Sequence, residues 1–151
     1  MLRFETSSSA ETVKLGKKIG RLLKAGDVLA LEGPLGAGKT TLVKGIAQGL
    51  EVKDQKEVVS PTFVLIHEYE GREKIYHIDW YRLAKITGQD ELLGQECFDS
   101  RAVTLVEWAD HGKNIFPKEC IHVRMKYKGP EQRVAEISAK GRKYQDFLRS
   151  L

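Results

Sequence analysis

One run of residues names a chemistry by itself. Gly33-Pro34-Leu35-Gly36-Ala37-Gly38-Lys39-Thr40 satisfies every fixed position of G-x-x-x-x-G-K-[ST]. That spacing suits a polyphosphate. Glycines let the backbone wrap so that successive N–H groups, from Gly36, Ala37, Gly38, Lys39, Thr40 and Thr41, turn toward one centre. A helix opening there adds the partial positive charge of its N-terminus. Lys39 supplies a mobile ammonium for the β- and γ-phosphates, and the Thr40 hydroxyl is placed to ligate Mg²⁺.

Hydrolysis at such a loop also needs an acid near the metal, usually at the end of a neighbouring apolar strand. Asp79 closes KIYHID, and Glu107 closes AVTLVE. Either would ordinarily be a surface acid at a strand end. Beside a phosphate loop, one would hold the metal and the other would orient the attacking water. The residues alone do not assign those roles. His77 shares a strand face with Asp79. It reads as a hydrogen-bonded structural histidine, with orientation of the acid or of water as the alternative. Pro61 holds Ser60 extended ahead of Thr62, so a hydroxyl there either reads the γ-phosphate or belongs to a plain proline turn. Trp80, Tyr81 and Trp108 read as core or as a partner-binding surface.

The base and the reaction class are less legible. Ser138-Ala139-Lys140 matches the SAK tripeptide of guanine-binding proteins. No NKxD precedes it, and Asp79 opens DWYR rather than DxxG. The tripeptide therefore reads as a strand end with a solvent-facing lysine, leaving adenine as the default base. A small-molecule kinase would need an arginine-rich lid. Arg72, Arg82, Arg101, Arg124, Arg133 and Arg142 are scattered, and 151 residues leave little room for one.

The elements that position these groups follow from periodicity. Ser8-Ser9-Ala10-Glu11 reads as a capping box opening a helix whose apolar face is Leu15, Ile19, Leu22 and Leu23. Asp27–Leu31 reads as a buried strand feeding the loop. Leu42, Val43, Ile46, Ala47 and Leu50 form one face of the helix after it. Further strands are expected at Thr62–Tyr69, Lys74–Ile78, Val103–Val106, Ile121–Tyr127 and Arg133–Ser138. Glu70-Gly71-Arg72 and Gly129-Pro130 are their hairpin turns. Short helices are expected at Asp90–Gln95 and Tyr144–Leu151. The sum is an α/β fold: a single P-loop NTPase-like domain over residues 1–151. Its mixed central sheet is parallel around the loop, partly antiparallel elsewhere, with helices on its faces.

Composition sets the outer bounds. The chain is 41% hydrophobic and 30% charged, as expected of an ordinary globular domain able to bury a core. Its formal charge of +4 permits contact with an acidic partner or RNA without requiring it. Cys97 and Cys120 stand in unrelated contexts, so no metal–thiolate site is expected. A reduced chain is the simpler reading of the pair, with a disulfide as the alternative. The opening MLRFETSSSAE has no apolar segment or cleavage-like site, and no run is long enough to span a bilayer. A cytoplasmic location is expected, with neither membrane nor DNA as partner.

Taken in order, GPLGAGKTTL from Gly33, SPTF at Ser60–Phe63, HIDWYRL at His77–Leu83 and VEW at Val106–Trp108 resemble the bacterial TsaE (YjeE/YdiB) ATPases. These take part in making the threonylcarbamoyladenosine modification of tRNA. The resemblance covers most of the chain. It implies binding of ATP with Mg²⁺, slow intrinsic hydrolysis, and action with two proteins, TsaB and TsaD, with tRNA touched indirectly or weakly. It implies that Thr40 and Glu107 hold magnesium, that Asp79 is the second active-site acid, and that Lys39 is catalytic. Trp108 would lie by the nucleotide. Ser60–Phe63, including Thr62, and His77–Arg82 would be switch-like segments sensing the γ-phosphate. Less distinctive matches put Ser9 near the adenine and Arg133 near the nucleotide. The family often has Pro where this chain has Ala109. Lys14, Lys17, Lys18, Arg21 and Lys24, then Arg124, Lys126 and Lys128, then Lys140, Arg142 and Lys143 read as solvated faces, with a tRNA or acidic-partner contact as the alternative. A nucleotide-dependent interaction module that does not hydrolyse is the rival in a different class.

Overall fold

The computed structural model describes residues 1–61, 65–83 and 85–151. In chain order the elements are β1 (Leu2–Thr6), α1 (Ser9–Leu22), β2 (Val28–Glu32), α2 (Lys39–Gly49), β3 (Ile66–Glu70), β4 (Lys74–Asp79), α3 (Gly88–Asp99), β5 (Val103–Glu107), β6 (Ile121–Tyr127), β7 (Arg133–Ala139) and α4 (Gln145–Ser150). Short 3-10 turns lie at Gln55–Glu57, Ala109–Ile115 and Arg142–Tyr144. The strands form one sheet in the order β1-β7-β6-β2-β5-β4-β3. The inner strands β6, β2, β5 and β4 run parallel; β3 pairs antiparallel with β4 on one side, and on the other β7 pairs antiparallel with β6 and β1 with β7. This is the mixed sheet expected from the sequence, with both hairpins where their turns were placed.

β2 lies between β5 and β6 and is covered on both faces, which is why it reads as an unbroken apolar run. Leu29 and Leu31 face α1 and α2, and Val28 packs with Val106, Ile78 and Phe98 on the opposite side. Cys97 and Cys120 are free and buried in that second cluster. No helix among the described residues is long and apolar enough to cross a membrane.

α1 begins at the Ser8 cap, whose hydroxyl accepts from the Glu11 N–H at 3.2 Å. The returning carboxylate of Glu11 accepts from Ser7 N, one residue earlier than a capping box requires. Leu15, Ile19 and Leu23 are buried as expected. What periodicity did not reveal is how closely α1 meets α2. A Cβ on Gly20 would lie 2.2 Å from the Ile46 carbonyl oxygen, and one on Gly45 2.2 Å from the Val13 oxygen. Gly16 and Gly49 repeat the contact, so the two helices pack backbone against backbone. That contact fixes the start of α1 beside the loop that precedes α2.

Three expectations need correction. β1 was not anticipated, although Leu2, Phe4 and Thr6 alternate with exposed Arg3 and Glu5. It is an edge strand paired with β7 from Leu2↔Ile137 to Thr6↔Arg133. The helix expected at Asp90–Gln95 runs over Gly88–Asp99, because Thr87 and Asp90 form a full capping box that starts it earlier. Of the strand expected at Thr62–Tyr69, the segment Ile66–Glu70 is β3; Thr62, Phe63 and Val64 lie outside the described residues. The basic residues Arg124, Lys126 and Lys128 form the solvated face expected, each about half exposed while pairing with Glu32, Glu136 and Glu5.

The helix contact has a measurable consequence. Gly45→Ala is expected to lower unfolding free energy by about 2–3 kcal/mol, since the added carbon meets backbone that cannot yield cheaply. Gly88→Ala meets nothing within 4 Å and is expected to leave stability unchanged or raise it by up to about 1 kcal/mol. Urea unfolding of both variants checks the contrast.

Candidate functional site

The loop between β2 and α2 turns where only glycine is comfortable. Gly38, the residue capping α2, has φ 98°, and Gly36 has φ 76°. Parallel pairing then fixes what faces it. Asp79 and Glu107 are the last residues of β4 and β5 and stand directly opposite each other, and Leu31 of β2 stands opposite Glu107. Three parallel strands thus end together beside the loop, the usual ligand crevice of such sheets. A cavity of about 310 Å³ opens there, lined by loop residues with Ser60, Asp79, Tyr81, Glu107 and Trp108.

The charged groups around it are almost fully out of water: Lys39 is 5% exposed, Asp79 3% and Glu107 2%. The Lys39 ammonium donates to the carbonyls of Gly33 at 2.6 Å and Pro34 at 2.9 Å. It also lies 4.0 Å over the Trp108 ring. Burial pushes its pKa below the ordinary lysine value, against the opposing pull of Glu107, Asp79 and Asp110. Trp108 reaches that position through a left-handed backbone, φ 57°, uncommon for a bulky residue.

The two acids are held differently. The Thr40 hydroxyl donates to Glu107 Oε1 at 2.8 Å. His77 Nε2 lies 2.6 Å from Glu107 Oε2, and His77 Nδ1 lies 2.9 Å from the Tyr69 hydroxyl. Asp79 Oδ1 accepts from the Tyr81 N–H at 2.8 Å, and Oδ2 accepts from the Ser60 hydroxyl. His77 is thus hydrogen-bonded in the core, and the acid it contacts is Glu107 rather than its own strand's Asp79. Trp80 and Tyr81 separate: Trp80 is core at 1% exposure, whereas Tyr81 is 44% exposed and stacks on Trp108 at 4.9 Å.

A second cavity of about 250 Å³ shares Gly36, Gly38 and Thr41 with the first and adds Ser9, Thr12, Glu131 and Arg133. Ser9 and Arg133, matched to no distinctive motif, thus meet on the far side of the same loop. Arg133 donates to the Gly36 carbonyl at 3.3 Å and stacks on Tyr127, whose hydroxyl donates to the Leu35 carbonyl at 2.6 Å. The β6–β7 hairpin thereby grips two carbonyls on the outside of the loop. Nothing local in the sequence marks Tyr127 or Tyr69 for these roles; both depend on strand pairing.

Of the residues singled out from sequence, Gly36, Gly38, Lys39, Thr40, Thr41, Asp79, Glu107 and Trp108 line the first cavity. Ala37 does not. Its side chain is fully buried and its N–H donates to the Pro34 carbonyl at 3.1 Å. Thr62 lies outside the described residues. Ser138-Ala139-Lys140 ends β7 with an exposed lysine, away from either cavity. No arginine among the described residues lines the first cavity.

Comparison with known proteins gives a consistent picture. Residues 6–135 match the family described as threonylcarbamoyl adenosine biosynthesis protein TsaE. The chain is 40% identical to the tRNA threonylcarbamoyladenosine biosynthesis protein TsaE of Bacillus subtilis, over 99% of this chain and 93% of that protein. It is 38% identical to the protein of the same name from Treponema pallidum, over 83% and 91% of the two chains. The crystal structure of Bacillus subtilis YdiB superposes with a TM-score of 0.79 at 34% identity, covering 98% of this chain and 91% of that one.

Tyr69 offers a test of this buried geometry. Burial raises its pKa from 10.0 to about 12. The neutral phenol's contribution is fully present below pH 10 and is lost as pH rises through the folded value. Between those limits the shift corresponds to about 2–3 kcal/mol. Wild-type stability measured by chemical unfolding is expected to fall more steeply from pH 10 to 12 than that of Tyr69→Phe.

Proposed function

The chain belongs to the TsaE family, and on that premise we propose that it is an Mg²⁺-dependent ATPase acting in threonylcarbamoyladenosine modification of tRNA. Its relatives are named for that biosynthesis. In this reading it hydrolyses ATP slowly alone and faster with TsaB and TsaD, and nucleotide state controls docking to that pair. It works in the cytoplasm as a single domain, and its dealings with tRNA pass mainly through the partners.

The observation that carries the reading is the Thr40–Glu107 contact at 2.8 Å, facing the loop with Asp79 beside it. A hydroxyl and a carboxylate oxygen, both hard donors, suit magnesium, which keeps most of its waters and asks few ligands of a protein. The bound ion would supply neutralisation of charge on the β- and γ-phosphate oxygens. The chain's own groups do the rest. The loop's N–H groups hold the phosphates, and Lys39 exchanges its two loop carbonyls for phosphate oxygens. Asp79, the second acid, is the candidate to orient the attacking water. Trp108 and Tyr81 wall the phosphate side. Ser9 and Arg133 lie on the opposite side of the loop, where a base and sugar would extend.

Phosphate release from purified protein tests this. Lys39→Ala and Asp79→Ala are expected to reduce turnover by at least about 10²-fold, the scale of losing a group that acts on developing charge. Glu107→Ala is expected to weaken nucleotide binding only when magnesium is present. Release is expected to rise on adding TsaB and TsaD, and co-purification with them should differ between ATP and ADP. Wild-type turnover by Lys39→Ala or Asp79→Ala would remove the catalytic assignment.

A further inference from the structure

Glu107 ends β5, and the Thr40 hydroxyl fixes only one of its carboxylate oxygens. The other is fixed by His77. We propose that His77 is the positioning residue of Glu107, with Tyr69 as the group that holds His77. The inference rests on the reading of Thr40 and Glu107 as the magnesium-holding pair.

The geometry comes from the sheet. β4 and β5 are parallel neighbours, with His77 opposite Leu105 and Asp79 opposite Glu107. Alternation puts His77 and Asp79 on one face, so His77 reaches Glu107 diagonally across the pair. The imidazole is fully buried, and its 2.6 Å contact engages the carboxylate oxygen that Thr40 does not. A carboxylate only accepts, so Nε2 carries the proton. The Tyr69 hydroxyl lies 2.9 Å from Nδ1 and fixes the ring plane. Tyr69 in turn lies 3.2 Å from the Val59 carbonyl. Val59 precedes Ser60, whose hydroxyl donates to Asp79. Both acids are therefore referred to one short stretch of backbone. His77 does not itself line the cavity; it acts through Glu107, which does.

Two measurements test it. In nucleotide-free protein, the His77 Nε2–H should give an exchange-protected, downfield NMR signal that disappears in Glu107→Ala. In titrations with a fluorescent ATP analogue, His77→Leu should raise the magnesium concentration for half-maximal binding by about 10–100-fold, as loss of an outer-shell partner does. Metal-free binding should be unchanged. His77→Gln keeps a donor at similar reach and should stay within about threefold of wild type, with Tyr69→Phe between the two. A folded His77→Leu protein with a wild-type magnesium midpoint overturns the proposal. If His77→Leu does not fold, Tyr69→Phe and the NMR signal decide. If wild type shows no magnesium dependence, the nucleotide reading fails, and the histidine signal alone decides whether His77 holds Glu107; its absence overturns the proposal.

Discussion

One ammonium and two carboxylates sit within a single pocket, each at most 5% exposed. Charges taken out of water are costly unless something nearby repays the lost hydration. Here the repayment is specific. Lys39 is placed on two carbonyls and an indole face, Asp79 on a backbone N–H and a hydroxyl, and Glu107 on a hydroxyl and an imidazole. The formal sum of the three charges is negative. A cation entering with a polyphosphate would find carboxylate oxygens already aimed and already desolvated, so little reorganisation would be needed on its arrival.

Such a pocket survives only in a stiff frame. Its floor is the parallel centre of the sheet, where pairing leaves the ends of β2, β4 and β5 no freedom relative to one another. Its phosphate side is the start of α2, and the glycine contact locks α2 to α1. The outside of the loop is gripped by Tyr127 and Arg133 from a hairpin far away in sequence. Those bonds hold the Leu35 and Gly36 carbonyls at the loop's rim, which constrains the peptide planes there and so the direction of the neighbouring N–H groups.

Much of this was legible beforehand because it is local. The glycine spacing, the apolar run before it and the amphipathic helix after it are each read within one element. Asp79 and Glu107 were recognisable because a carboxylate closing an apolar strand beside a phosphate loop has few other uses. What escaped was relational. Tyr69 looks like one aromatic in a strand until pairing with β4 brings it to His77. His77 was visible as a candidate, but its partner on β5 depends on a register that no single strand encodes. The four glycines of α1 and α2 look like weak helix formers until the helices meet. β1 showed its alternation of two, but five residues at a sheet edge gain most of their order from β7. Arg133 and Ser9 stood out only by resemblance, since the loop itself lies between them.

The present position of Lys39 sets the last constraint. In the proposed nucleotide complex its ammonium would exchange the Gly33 and Pro34 carbonyls for phosphate oxygens. The carbonyls left behind then face a loop still held from outside by Tyr127 and Arg133, so the loop need not refold as the lysine moves. Trp108 follows the ammonium most closely, being 4.0 Å below it, and Tyr81 stacks on Trp108 at the cavity mouth with nearly half its surface in solvent. The buried ammonium, the Trp108 ring and the Tyr81 ring thus form one continuous contact that ends at the surface. Under the proposed function, that short path would be a physical route from the phosphates to the outside of the protein.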